Sequence, residues 1–118
     1  MRVLVCGGRD YEDRRTFDAA MDSLDPAPSV VINGGAKGAD FLAGQWAWAN
    51  DVPCITVEAD WEQHGRGAGP IRNQQMLDEG RPDLVLAFPG GRGPADMVRR
   101  AKAPGVRVLV PERQGAET

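Results

Sequence analysis

Short apolar runs alternate along the chain with longer stretches in which apolar residues recur at every third or fourth position. The runs lie at residues 3–6, 30–32, 55–57, 84–88 and 106–110. Runs of this length, rich in β-branched residues, predict β-strands, whereas the three-to-four-residue recurrence predicts amphipathic helices. In the first helical stretch, Phe17, Ala20, Met21 and Leu24 fall on one face. The pattern therefore predicts five strands that alternate with four helices.

Prolines and glycines mark the expected ends of these helices. The second helix is predicted over residues 39–50. Pro70 and Pro94 suit the first positions of the third and fourth helices, where no amide hydrogen bond is lost. Gly80 and Gly105 suit the ends of the same two helices.

The uninterrupted apolar runs indicate strands that are covered on both faces, which is typical of a parallel sheet. The predicted fold class is therefore α/β: a single three-layer domain with a mostly parallel five-stranded sheet and helices on both faces. A chain of 118 residues has room for one domain. We assign that domain to residues 1–111 and expect residues 112–118 to form a flexible polar tail.

Glycine is abundant, and most of it follows predicted strands. Of the 15 glycines, those between a strand and the next helix are Gly7, Gly8, Gly34, Gly35, Gly38, Gly65, Gly67, Gly69, Gly90, Gly91 and Gly93. The carboxyl ends of parallel strands meet at one edge of a sheet, where ligands bind. Glycine lets backbone amides approach a ligand, and the helix N-termini behind such loops favour phosphate. These loops therefore predict a phosphate-accepting edge.

Each glycine loop also carries a cation, namely Arg9, Lys37, Arg66 with Arg72, and Arg92. The whole chain has 14 basic and 17 acidic residues, a net charge of −3. This charge argues against a surface for duplex DNA or for an anionic membrane. Cations gathered at one edge of an acidic protein indicate a local anion site, although each loop alone also fits an ordinary surface turn.

Four polar residues near the glycine loops have alternative interpretations. Asp10 and Asp40 can each cap a helix or hold a ribose hydroxyl. Arg72 and Asn73 are expected in the first turn of the third helix, where both can face the ligand edge or the solvent.

Aromatic residues and the single histidine also allow two interpretations each. Trp61 can stack on a base or close its loop over the core. His64 lies in a predicted loop, where a solvated side chain is commoner than a catalytic one. Phe41 and Trp48 lie beside the apolar face of the second helix, and either pack in the core or form a homo-oligomer contact.

Several chemistries lack their sequence signals. Cys6 and Cys54 lie within predicted strands and are expected to be buried free thiols; with one histidine they make no zinc set, so no metal or cofactor is expected. Residues 7–10 differ from the dinucleotide fingerprint, which disfavours a nicotinamide oxidoreductase, and GxSxG and P-loop motifs are missing. No apolar run suits a membrane span or signal peptide, so a cytoplasmic location is expected.

Four motifs together resemble the YspA type, the cpYpsA-related branch of the SLOG superfamily. They are Gly7–Tyr11, Asn33–Asp40, the stretch from Ala59 to Asn73, and Phe88–Gly93. The resemblance extends over about residues 1–110. It implies a Rossmann-like fold that binds nucleotides or nucleotide-derived small molecules.

The same superfamily includes the LOG phosphoribohydrolases, whose PGGxGTxxE pattern ends in a catalytic glutamate. Here Pro94 stands at the threonine position and Met97 at the glutamate position. Because a methionine cannot transfer a proton or stabilise a cation, we assign no catalytic residue. The YspA type commonly lacks this glutamate as well. The amides of the loop at Gly90, Gly91 and Gly93 remain suited to phosphate.

We interpret the chain as a nucleotide-ligand-binding domain with a sensor or regulatory role. The predicted binding residues are Gly7, Gly8, Arg9, Asp10, Gly34, Gly35, Lys37, Gly38, Asp40, Arg72, Asn73, Pro89, Gly90, Gly91 and Gly93. One alternative is hydrolysis of an N-glycosidic or phosphoester bond with Asp10, Asp40 or Asp60 as the acid. Another is single-stranded nucleic-acid binding in the manner of DprA, against which the net charge and the small size count.

Overall fold

The computed structural model describes residues 1–111, so the expected tail at residues 112–118 lies outside the described part. The strands are β1 Arg2–Cys6, β2 Val30–Asn33, β3 Cys54–Thr56, β4 Leu84–Ala87 and β5 Arg107–Leu109. The helices are α1 Arg14–Asp22, α2 Ala39–Ala49, α3 Trp61–His64, α4 Ala68–Gly80 and α5 Arg92–Lys102. All five predicted strands are present, and the short helix α3 replaces part of the loop expected around His64.

The five strands form one parallel sheet in the order β3-β2-β1-β4-β5. Leu4 in the central strand pairs with Ile32 on one side and with Val85 on the other. Between β1 and β4 the chain reverses the direction in which it adds strands to the sheet. This reversal is the topological switch point, where loops from both halves of the sheet meet.

Side chains on the two faces of the sheet pack into separate apolar clusters. Val3 and Val5 belong to the cluster under α1 and α2, whereas Leu4 and Cys6 belong to the cluster under α4 and α5. The alternation along β1 places helices on both faces, which confirms the three-layer α/β prediction. Among the described helices, none is both long enough and apolar enough to cross a membrane.

The edge strands depart from the expectation of full burial. All three residues of β3 are exposed, and Cys54 is therefore an exposed free thiol, whereas Cys6 is buried as predicted. The prediction failed for Cys54 because β3 is the outermost strand and neither apolar cluster includes one of its residues.

The two helix-opening prolines lie two residues further in than predicted. Helix α4 begins at Ala68 and α5 at Arg92, so Pro70 and Pro94 each occupy the third helical position. Amides in the first turn have no intrahelical acceptor, so proline is tolerated there as well. At the other end of α4, Gly80 is the last helical residue.

The outer face of α2 carries two exposed aromatic side chains. Phe41 is 59% exposed and Trp48 is 85% exposed. The interpretation that they pack in the core is therefore wrong, because smaller residues such as Ala43 and Ala47 fill the inner face of α2. Their role in a subunit contact stays a prediction.

Three glycine loops meet at the carboxyl end of β1 with no room for a side chain between them. A Cβ atom on Gly8 would lie 2.9 Å from the Cα of Gly90, and one on Gly38 would lie 2.1 Å from the carbonyl oxygen of Gly8. Gly38 also has a φ of +75°, which L side chains rarely adopt. Glycine at these positions therefore sets how closely the loops approach.

We expect Gly38→Ala to lower the free energy of unfolding by about 2 kcal/mol or more, because the methyl group meets backbone and the φ is unfavourable. Gly44→Ala is the matched control, since a Cβ there meets nothing within 4 Å inside helix α2. It should stabilise the protein by roughly 0.5–1 kcal/mol. Urea denaturation of both variants measures the difference, and equal unfolding midpoints would contradict this account of the loop contact.

Candidate functional site

A cleft of about 1030 Å³ lies at the carboxyl edge of the sheet, beside the switch point between β1 and β4. Its residues come from the end of β1, the loops after β1, β2 and β4, and helices α2, α3, α4 and α5. The volume is at the upper end of the range typical of small-molecule sites. The cleft therefore lies where an open α/β sheet is expected to bind its ligand.

Backbone hydrogen bonds hold the two central loops of the cleft against each other. The Gly8 amide donates to the Pro89 carbonyl at 3.0 Å, and the Phe88 amide donates to the Cys6 carbonyl at 2.8 Å. Because strands β1 and β4 are neighbours, the loops that follow them continue side by side beyond the sheet. This arrangement brings the first and last predicted glycine motifs together.

The start of helix α5 has the features of an anion-binding helix N-terminus. Gly91 is its N-cap, with a φ of +74° and no side-chain cap hydrogen bond. The amides of Arg92 and Gly93 are the first two of the helix, while Pro94 at the third position has no N–H to donate. Two backbone donors and the positive end of the helix dipole therefore remain for a ligand anion.

Arginines outnumber carboxylates around the cleft. The arginines that line the cleft are Arg9, Arg66, Arg72, Arg92 and Arg99. The carboxylates that line it are Asp10, Asp40 and Asp96. The carboxylate of Asp96 is already paired with the guanidinium groups of Arg99 and Arg100. The cleft is therefore locally cationic although the whole chain carries a net charge of −3.

Arg72 connects helix α4 to the loop after β2. Its Nη1 donates to the Gly34 carbonyl at 2.6 Å, and its Nε donates to Oδ1 of Asn73 at 3.2 Å. Burial lowers the pKa of Arg72, while the nearby Asp40 carboxylate opposes that shift. Because α4 begins earlier than predicted, Arg72 lies in its second turn and reaches the cleft from there.

Asn73 connects the same helix to the start of α5. Its Nδ2 donates to the Gly93 carbonyl at 3.1 Å and to Oδ2 of Asp96 at 3.0 Å, and its side chain is buried. Burial opposes ionisation of Asp96, yet the hydrogen bonds from Asn73 and Arg100 outweigh it and lower the pKa of Asp96. Asp96 therefore remains an anion at neutral pH and cannot donate a proton.

Asp40 is the buried carboxylate of the cleft. It is the second residue of α2, and its Oδ2 accepts a hydrogen bond from the Ala36 amide at 3.2 Å. The helix-cap interpretation is wrong for Asp40, since the N-cap is Gly38. Burial raises the pKa of Asp40, with the Ala36 amide and Arg72 acting in the opposite direction. A carboxyl group with a raised pKa is a candidate proton donor or sugar ligand.

The other two candidate acids have different surroundings. Asp10 is exposed at the cleft and caps no helix, because the N-cap of α1 is Asp13. Asp60 caps α3, where its Oδ1 accepts a hydrogen bond from the Gln63 amide at 3.1 Å. Asp60 is not a lining residue of the cleft.

Tyr11 and Cys6 line the cleft with groups that stay protonated. Burial raises the pKa of Tyr11 to about 12, with a contribution from the negative charge of Asp13. Burial also raises the pKa of Cys6 to about 12, and the charge of Asp40 adds to the effect. At neutral pH Cys6 is therefore a thiol, which is a poor nucleophile.

Of the predicted binding residues, those that line the cleft are Gly7, Gly8, Arg9, Asp10, Asp40, Arg72, Asn73, Pro89, Gly90, Gly91 and Gly93. The other four belong to the loop after β2. Gly34 contacts Arg72, Gly35 donates to Asn33, Lys37 is exposed and Gly38 packs on Gly8. These four residues support the cleft from behind, while Ala36 of the same loop is part of the lining.

Sequence reasoning did not select several lining residues, among them Cys6, Tyr11, Met76 and Arg99. Two signals for them were available. Cys6 is the last residue of β1 and so belongs to the ligand edge, and Arg99 follows Arg92 by two helical turns on the same face. Met97, at the position of the LOG glutamate, is buried in the core under α5 and does not line the cleft.

Comparisons with known proteins agree with this architecture. The family described as "YspA, cpYpsA-related SLOG family" matches residues 1–64. The Gene 61 protein of Mycobacterium phage D29 is 42% identical over an alignment that covers 92% of this chain and 94% of the phage protein.

A solved structure has a similar fold at low sequence identity. It is the UDP-GlcNAc 2-epimerase from Neisseria meningitidis bound to UDP-GlcNAc, with a TM-score of 0.57 and 15% identity. The match covers 93% of this chain and 31% of the epimerase, so the chain spans about a third of that protein's length. The similarity confirms the Rossmann-like fold.

The raised pKa of Asp40 has a consequence for stability. The folded protein holds this proton more tightly than the unfolded chain, so unfolding becomes easier as pH rises from the ordinary carboxyl range through the raised pKa. We expect Asp40→Asn to stabilise the fold at pH 7 by roughly 0.5–2 kcal/mol and to have no such effect near pH 3. Thermal unfolding at both pH values measures this, with the exposed Asp10→Asn as control. Destabilisation of Asp40→Asn at pH 7 would refute the prediction.

Proposed function

The chain belongs to the YspA, cpYpsA-related SLOG family, and from this membership we propose that its cleft binds a nucleotide or a nucleotide-derived small ligand. The observation that carries the proposal is the cationic cleft at the switch point between β1 and β4. Glycine loops, a helix N-terminus and arginines converge there, and each of these features favours a phosphate group. The epimerase of similar fold is itself described as bound to a nucleotide sugar, UDP-GlcNAc.

In this proposal the phosphate lies at the start of α5. The amides of Arg92 and Gly93 donate to it, and Gly90 and Gly91 leave its approach free of side chains. Arg9, on the loop after β1, supplies a positive charge from the opposite side of the switch point. Bidentate guanidinium contacts and backbone donors together are the usual way in which proteins hold a phosphate.

The sugar of the ligand lies deeper, toward Asp40 and Arg72. A carboxylate accepts hydrogen bonds from ribose hydroxyls, and Asp40 is held in place by the Ala36 amide. Arg72 is fixed by its bond to Gly34, so its position does not depend on the ligand. Both groups are therefore oriented before binding, which favours specificity over adaptability.

A sensor or regulatory role fits the chemistry of the cleft better than catalysis does. The Cys6 thiol is protonated, Asp96 is held as an anion, and Met97 is buried away from the cleft. The two free cysteines also suit the reducing environment of the cytoplasm, where we place the protein. In this role, the domain signals to a partner whether its cleft holds a ligand.

The direct test is a thermal-shift screen with nucleoside mono- and diphosphates, ADP-ribose and cyclic dinucleotides. A ligand at 100 times its Kd stabilises the fold by about 2.7 kcal/mol, which for a domain of this size raises Tm by several degrees. The absence of any shift at millimolar concentration would refute the proposal.

For a ligand found in this screen, Arg9→Ala should weaken binding about tenfold, since the guanidinium group that faces the charged phosphate is lost. Arg15→Ala is the matched control. It removes the same charge from an exposed position on α1 that does not line the cleft. Titration calorimetry measures both affinities, and an equal loss for the two variants would point to a diffuse charge effect instead of a phosphate contact.

A second candidate function is hydrolysis of an N-glycosidic bond, favoured by the raised pKa of the buried Asp40. In this reaction the C1′–N bond breaks and the base leaves with a proton from Asp40. Water adds to C1′, its released proton restores Asp40, and ribose 5-phosphate remains. The rate should fall as pH rises through the raised pKa, because only protonated Asp40 can donate. Chromatography for free base, with Asp40→Asn as the inactive comparison, tests it. Lack of base release from the wild type excludes this function.

A further inference from the structure

One wall of the cleft is an aromatic side chain that the fold does not bury. Trp61 begins the short helix α3, lines the cleft and is 49% exposed. No residue of α3 is buried, so the indole does not close a loop over the core. A large apolar ring kept half in solvent within a cleft is a common element of ligand binding.

Two contacts fix the orientation of this ring. Asp60 caps α3 through the Gln63 amide at 3.1 Å, which fixes the backbone on which Trp61 lies. The guanidinium carbon of Arg9 lies 5.6 Å from the centre of the indole ring, within the range of a cation–π contact. Arg9 follows β1, so this contact ties α3 to the loop that faces the phosphate position.

The indole and the phosphate-binding features line the same cleft but come from different parts of the fold. The start of α5 offers backbone donors for an anion, whereas Trp61 offers a flat apolar surface. Gly69 lies beside the edge of the ring, because a Cβ atom on Gly69 would be in van der Waals contact with Trp61 Cη2, at 3.6 Å. A ligand with an anionic end and a flat aromatic end matches this pair of features.

We propose that Trp61 is the stacking surface for the aromatic base of the ligand, and that Arg9 holds the indole in the orientation that stacking needs. The proposal rests on the proposed nucleotide-binding function and makes it narrower. The cleft then selects phosphorylated compounds that carry a base over simple sugar phosphates. Stacking of one base on an aromatic side chain contributes a factor of roughly five to 150 in affinity.

The test compares two kinds of probe on the full chain by titration calorimetry. One kind is the set of four common nucleoside 5′-monophosphates, and the other is ribose 5-phosphate, which lacks the base. We expect Trp61→Leu to weaken binding of the best nucleotide about tenfold and to change binding of ribose 5-phosphate less than twofold. Trp61→Phe, which keeps an aromatic surface, should recover most of the lost affinity.

Trp48→Leu is the matched control. It removes an indole that is 85% exposed on α2 and does not line the cleft, so nucleotide affinity should stay within twofold of the wild type. If Trp61→Leu weakens both probes equally, or neither, the stacking proposal is overturned while nucleotide binding stands. If neither ribose 5-phosphate nor any nucleotide of the thermal-shift screen binds to the wild type, the proposed function and this inference fail together.

A fluorescence measurement keeps the proposal testable if Trp61→Leu does not fold. The chain has 3 tryptophans, so replacing Trp46 and Trp48 by phenylalanine leaves Trp61 as the single emitter. With excitation at 295 nm, a base stacked on the indole should quench its emission with the calorimetric Kd, whereas ribose 5-phosphate should not. Nucleotide binding without quenching would overturn the stacking role.

Discussion

The cleft depends on a close backbone contact at the carboxyl end of β1. The Gly8 amide bonds to the Pro89 carbonyl, while the Gly8 carbonyl accepts from the amides of Tyr11 and Ala39. One peptide segment thereby joins the loops after β1 and β4 to the start of α2. A Cβ atom at Gly8 or Gly38 would push these segments apart, so the distance between the loops is set by the absence of side chains. The loops after β1 and β4, which form the centre of the cleft, are positioned by this contact.

Charge within the cleft is distributed unevenly over a chain that is acidic as a whole. Asp96 forms salt bridges with Arg99 and Arg100 of α5, whereas Arg9, Arg66 and Arg92 form none within the described residues. Burial favours the protonated form of Asp40 and raises its pKa, so the charged form of this carboxyl group is disfavoured. Such a site presents a positive field to an approaching anion, while its deepest carboxyl group stays sensitive to what binds beside it.

Local signals in the sequence were sufficient for the elements and for the ligand edge. Apolar runs located β1 and β4, and the glycines after them marked the loops that meet at the switch point. The strand order was not predictable, because it is set by contacts between distant segments, and exposure of Cys54 follows from that order. Roles that depend on partners far along the chain were missed for the same reason. The bond from Arg72 to the carbonyl of Gly34, 38 residues away, is an example.

Two consecutive residues of α4 reach opposite sides of the cleft, because neighbouring positions on a helix point about 100° apart. Arg72 bonds to the loop after β2, and Asn73 bonds to the start of α5. Helix α4 therefore connects the two sides of the cleft and fixes its width before a ligand binds. A preorganised cleft loses little conformational entropy on binding. Its affinity therefore depends on how well the ligand matches the cleft, and the cleft does not adjust to ligands of the wrong length.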